Sequence, residues 1–177
     1  MTAAAEIAVR MGEIAVRMGQ IAVSASAAEV LLSIGLGSCV GLALVDQRRG
    51  IAGLAHVMLP EAIGRGGGPA GKFADRAVPE LVARTTALGT SRTALRAVLV
   101  GGAQMFTLGG GGAGSALDIG VRNEFAVRSA LSAARIPVAA SATGGDRGRT
   151  IRVFPGGAVL SKEAGGAEIE LMPGVRA

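Results

Sequence analysis

Cys39 and His56 are the only cysteine and the only histidine in a chain of 177 residues. A thiol and an imidazole in one short stretch are the makings of a nucleophile with its base. A thiol of ordinary pKa, about 8.5, is mostly protonated at pH 7. An adjacent imidazole can take that proton and later return it to a leaving group. The thiol stands in Gly35-Leu36-Gly37-Ser38-Cys39-Val40, where glycines allow close backbone approach and backbone N–H groups can hold an oxyanion. Ser33, six residues before Cys39, offers a hydroxyl that could orient the imidazole. The same residues also suit a small buried thiol and a core histidine satisfied by its neighbours. Spacing alone leaves both readings open.

Position decides whether the pair can meet. Val40 to Val45 and Ile51 to Val57 have the apolar content of two strands, with Asp46 to Gly50 between them as a turn. An antiparallel hairpin with an even loop sets Asp46 opposite Ile51, Gly41 opposite His56 and Cys39 opposite Met58. Cys39 and His56 are then diagonal neighbours on one face, with Cβ atoms a little under about 7–8 Å apart. Gly41 is expected to leave room beside the ring. An odd loop puts the two on opposite faces.

The rest of the chain reads as mixed α/β, with strands at Gln20 to Ser24, Ala28 to Ile34, Leu95 to Val100, Val138 to Ala142, Thr150 to Phe154 and Ala158 to Ser161. Helices are expected over Phe73 to Leu88, broken or restarted by Pro79 and ended by Gly89, and over Asp118 to Ala134. Pro60 to Gly71 and Gly109 to Gly114 read as loops. Arg122 and Asn123 are expected to satisfy backbone groups at the start of the second helix. The N-terminus repeats Glu6-Ile7-Ala8-Val9-Arg10-Met11-Gly12 as Glu13 to Gly19, followed by Gln20-Ile21-Ala22-Val23. Three short copies are too few for a solenoid. Residues 1–19 are therefore read as a dispensable leader, with Met11 and Met18 as alternative starts, and residues 20–177 as one domain.

Composition narrows the class. Half the residues are hydrophobic and 18% are charged, which argues against disorder. A mean hydropathy of +0.49 raises the possibility of membrane insertion, but no uninterrupted apolar run of about 18 residues exists. The start lacks a basic region followed by an apolar block, so no signal peptide is expected. One cysteine cannot form an internal disulfide, which suits a cytoplasmic setting. The formal charge is +5, yet Trp and Tyr are absent and Phe numbers four, so nucleic acid is an unsuitable partner. No cofactor or metal is expected, because one His with one Cys makes a poor zinc ligand set.

Six stretches, in order, resemble the CheD family of chemoreceptor glutamine deamidases. They are Gly35 to Val40, Gly53 to Pro60, Lys72 to Asp75, Gly101 to Phe106, Ile119 to Asn123 and Gly144 to Arg149. The resemblance implies an α/β cysteine hydrolase related in fold to deamidating bacterial toxins, with β-sheets packed as a layered sandwich and helices outside. It implies Cys39 and His56 as catalytic residues, and Ser33 at the position of the family's catalytic threonine. The implied activity is deamidation of receptor glutamines through a thioester, with hydrolysis of glutamyl methyl esters by the same machinery. The implied partners are methyl-accepting chemoreceptors and a CheC-type phosphatase. A non-catalytic module regulating that phosphatase is the alternative.

Overall fold

The computed structural model describes residues 12–64, 67–105 and 119–175. Ten strands and two α-helices are present among them. The strands are β1 Glu13–Ala15, β2 Ile21–Ser24, β3 Val30–Leu36, β4 Val40–Asp46, β5 Ile51–Val57, β6 Arg96–Gly101, β7 Val138–Thr143, β8 Arg149–Val153, β9 Val159–Glu163 and β10 Glu168–Met172. The helices are α1 Ala74–Ala87 and α2 Ile119–Ala133. The expected loop at Gly109 to Gly114 lies outside the described residues.

The strands form two five-stranded sheets, ordered β1-β3-β8-β9-β10 and β2-β5-β4-β6-β7. Both are mixed, because β1 runs parallel to β3 and β6 parallel to β7. Every residue of β4 and β5 is buried, as continuous apolar runs require when both faces of a sheet are covered. Alternation then divides their side chains. Leu42, Leu44, Ala55 and Val57 face the helices with Val78, Leu81, Val127 and Leu131. Ala43, Val45, Ala52 and Leu54 face the other sheet with Leu31, Leu36, Ile151 and Val153. The layers are helices, sheet, sheet.

The β4–β5 hairpin has the expected even register, with Asp46 opposite Ile51 and Gly41 opposite His56. Asp46 fixes it. One carboxylate oxygen accepts the N–H groups of Arg48 and Arg49 at 3.1 and 3.2 Å, and the other accepts the Thr90 hydroxyl at 2.5 Å. Such an Asx turn closes the loop at a set length, and a one-residue slip would carry His56 to the helix side.

The structure departs from the expected elements at three places. Pro79 does not break α1, which runs unbroken from Ala74 to Ala87 with Ala77, Val78, Leu81 and Thr85 buried. One lost backbone bond is outweighed by that packed stripe. Strand β10 follows β9 in an edge position not foreseen. Part of the expected leader is folded. The second repeat copy supplies β1, Val16 is buried, and the Val16 N–H donates to the Leu32 carbonyl at 2.7 Å.

Candidate active site

Parity in β4 and β5 determines where the two chemical side chains point. Gly41 and His56 are directly paired, so they share a face, and Cys39, two residues before Gly41, follows the same alternation. That face is the one between the sheets, where Cys39 packs against the second core cluster. Cys39 is half-buried at the mouth of β4, whereas His56 is only 2% exposed. The room expected beside the ring is filled. A Cβ on Gly41 would come within 2.8 Å of Leu36 Cδ1 and 3.1 Å of Ile151 Cγ2, so this glycine admits the facing sheet.

The imidazole is held from that facing sheet. His56 Nδ1 lies 3.3 Å from the carbonyl oxygen of Val16. A carbonyl only accepts, so Nδ1 carries the proton and Nε2 keeps its lone pair. Nε2 is buried and has no hydrogen-bond partner among the described residues. Leaving such a group unsatisfied costs about 1–3 kcal/mol, a cost expected where a polar atom serves a reaction. Burial pushes the His56 pKa down, opposed by the bond to Val16, so the neutral ring is favoured. Burial pushes the Cys39 thiol up, opposed by the bond from its own backbone N–H. The resting pair is therefore a neutral thiol and a neutral imidazole.

Ser33 is fully buried, and its hydroxyl donates to the same Val16 carbonyl at 2.6 Å. It thus shares an acceptor with the ring instead of bonding to it. Ser33 also ends the regular β3–β8 pairing, which shifts register between Ser33 and Leu36. This irregularity lies at the approach to the Cys39 turn, as bulges beside active sites do.

The turn itself is pinned by the end of β6. Gly102 N–H donates to the Cys39 carbonyl at 2.8 Å, and Ala103 N–H to the Gly37 carbonyl at 2.7 Å. A cavity of about 420 Å³ borders the Val16 segment, and one of about 410 Å³ borders Gly102, Gln104 and Gly144 to Asp146. Asn123 does not serve the start of its own helix, the expected role, but donates to the distant carbonyls of Ser38 and Met58 at 3.0 and 2.8 Å. Val16 was not foreseen. Its contribution is a backbone carbonyl, which carries no residue-type signal.

Residues 58–163 match the family model described as CheD chemotactic sensory transduction. The chain belongs to the CheD family. The matched stretch begins after both Cys39 and His56, so membership does not depend on them. Among CheD relatives, one from Geobacillus kaustophilus is 43% identical over 146 residues, covering 81% of this chain and 88% of its own. One from Clostridium kluyveri is 42% identical over 130 residues, 72% of this chain and 78% of its own. One from Archaeoglobus fulgidus is 40% identical over 141 residues, 79% of this chain and 87% of its own. Each is named "Probable chemoreceptor glutamine deamidase CheD".

Proposed function

We propose that this chain is a protein-glutamine glutaminase that converts chemoreceptor glutamine side chains to glutamate, with Cys39 as nucleophile and His56 as base. One observation carries the reading: a buried imidazole whose Nε2 is unpartnered among the described residues lies on the sheet face that holds the thiol. The names of the CheD relatives supply the substrate.

In the first step His56 Nε2 takes the thiol proton as the Cys39 sulfur attacks the carboxamide carbon. The carbonyl oxygen becomes an oxyanion, held by the backbone N–H at Cys39. His56 returns the proton to the amine, the C–N bond breaks, and ammonia leaves a glutamyl thioester. Water, deprotonated by His56, then cleaves the C–S bond and restores the thiol. A glutamyl methyl ester would follow the same course with methanol leaving. Ser33 acts as a positioning residue, because its hydroxyl steadies the carbonyl that orients the ring.

We assign the two sheets and outer helices to the cysteine-hydrolase fold shared with deamidating toxins, and the activity to the cytoplasm. No helix among the described residues is long and apolar enough to cross a membrane, and a reducing compartment keeps a lone thiol free. A purely regulatory partner of a CheC-type phosphatase would leave the unpartnered Nε2 without a use.

The test is to incubate the full chain with a receptor cytoplasmic fragment and weigh the peptides. Deamidation adds about one dalton at specific glutamines, and Cys39→Ala abolishes the gain if the thiol is the nucleophile. No gain, or an equal gain from Cys39→Ala, would refute the reading.

A further inference from the structure

Asn123 is the fifth residue of α2 and is fully buried. Its side-chain amide donates both hydrogens, one to the Ser38 carbonyl and one to the Met58 carbonyl, groups 85 and 65 residues away in sequence. The backbone register of β4 and β5 is regular as far as Val40 opposite Val57. Ser38 and Met58 lie just beyond that last pair. There the side chain of a third element ties the two strands together.

The amide is costly to keep. Asn123 Oδ1 is buried with no hydrogen-bond partner among the described residues, which costs about 1–3 kcal/mol. An apolar side chain of the same branching would avoid that cost but would lose both donors. The use of the amide must therefore lie in what the donors hold.

We propose that Asn123 is a positioning residue for the oxyanion site, setting the plane of the peptide that joins Ser38 to Cys39. This rests on the hydrolase reading above. A trans peptide points its C=O and N–H in opposite directions, and the described residues contain no cis peptide bond. Drawing the Ser38 carbonyl toward α2 turns the Cys39 N–H away from the helix layer, toward the inter-sheet side where the thiol packs. That N–H belongs to the residue that carries the thiol, which places it beside the atom the substrate carbon must reach. Asn123 touches no substrate. It acts through the peptide, and its hold on Met58 fixes the same turn against the strand that carries His56.

Two readouts separate this role from general support of the fold. Alkylation of Cys39 by iodoacetamide needs the sulfur but develops no oxyanion, whereas deamidation needs both. For Asn123→Ala in the full chain, kcat for receptor-fragment deamidation should fall about 10²-fold, the low end for loss of one oxyanion donor. KM and the alkylation rate should stay within about 3-fold. Asn123→Ser, which retains one shorter donor, should recover part of kcat, and it replaces the alanine variant where that one does not fold. A kcat within about 3-fold of the parent, or kcat and alkylation falling together, would overturn the proposal. An inactive parent chain would refute the hydrolase reading instead. The placement remains testable then, because ¹⁵N-cysteine labelling gives a single amide resonance, that of Cys39. Its shift or broadening in either variant supports the placement, and an unmoved resonance overturns it.

Discussion

Val16 directly follows β1 of one sheet and His56 lies in β5 of the other, yet the Val16 carbonyl oxygen sits 3.3 Å from His56 Nδ1. The contact assigns the ring proton to Nδ1 and leaves Nε2 as the basic nitrogen. It exists because the second repeat copy pairs with β3, with Glu13 opposite Val30 and Ala15 opposite Leu32. Arg152 anchors the same strand through Glu13 at 3.2 Å.

Met11 and Met18 separate the repeat into parts that differ in consequence. A chain begun at Met11 keeps Glu13 to Val16, so its deamidase activity should match that of the full chain. A chain begun at Met18 loses the carbonyl that orients His56. Its kcat/KM should drop by about 10²-fold or more, the lower range for a positioned base. Equal activity from both chains, measured on folded protein, would show that Val16 is not needed.

Ser33 and His56 compete for one carbonyl oxygen, which has two lone pairs and can serve both. Ser33→Ala removes a buried hydrogen bond, costing about 1 kcal/mol of stability. Its larger effect should be on kcat, roughly tenfold lower, as the Val16 carbonyl gains freedom and the ring loses its fixed angle. Ser33→Thr keeps the hydroxyl and stiffens χ1, so it should retain activity within about 3-fold. Steady-state kinetics of both variants provide the check. Full activity in Ser33→Ala would reduce Ser33 to a packing residue.

The β4–β5 hairpin was legible because its signals are local. Asp46 closes a turn, the flanking runs are apolar, and an even loop puts Cys39 and His56 on one face. Strand β1 was not legible. Its seven-residue unit also occurs at Glu6 to Gly12, so no feature of the residues singles out the copy that pairs. Strand β10 sits at a sheet edge with only Met172 buried, too little alternation to mark a face. Ser33 was identified by spacing, but its partner is a backbone carbonyl 17 residues away, a contact made only by tertiary pairing.

Burial of His56 sets a pH window for stability as well as for rate. Its folded pKa lies below the ordinary 6.5, so between those values the unfolded chain binds more protons. Stability from this group is full above about pH 6.5 and is lost as pH falls through the folded pKa. Cys39 has the opposite edge, since burial raises its folded pKa above the ordinary thiol value and its contribution declines as pH rises through that range. Thermal melts from pH 5 to 10 should form a plateau between these limits, and His56→Gln should flatten the acid side. The acid limb of kcat/KM should fall below pH 6.5 where the neutral ring serves as the proposed base. A limb centred above 6.5 would contradict a depressed His56 pKa.

Gly101 ends β6 directly beneath the backbone of Cys39, opposite Val40. It has φ +113, and a Cβ there would come within 2.2 Å of the Cys39 carbonyl oxygen and 3.3 Å of its carbon. Backbone cannot swing aside as a side chain does. Gly101→Ala therefore combines a conformation that L residues disfavour with a collision against the turn that holds the thiol. A destabilisation of about 3 kcal/mol or more is expected, at the upper end for single substitutions. Whatever folds should also lose activity, because relief of the clash must move the Cys39 carbonyl and with it the bond from Gly102 N–H at 2.8 Å. Gly156→Ala is the control, since a Cβ there meets nothing within 4 Å and should leave both melting temperature and kcat nearly unchanged. Denaturant melts with deamidation rates at matched folded fraction separate the two effects. A Gly101→Ala protein as stable and active as Gly156→Ala would mean that the turn carrying Cys39 is not packed on β6 in this way.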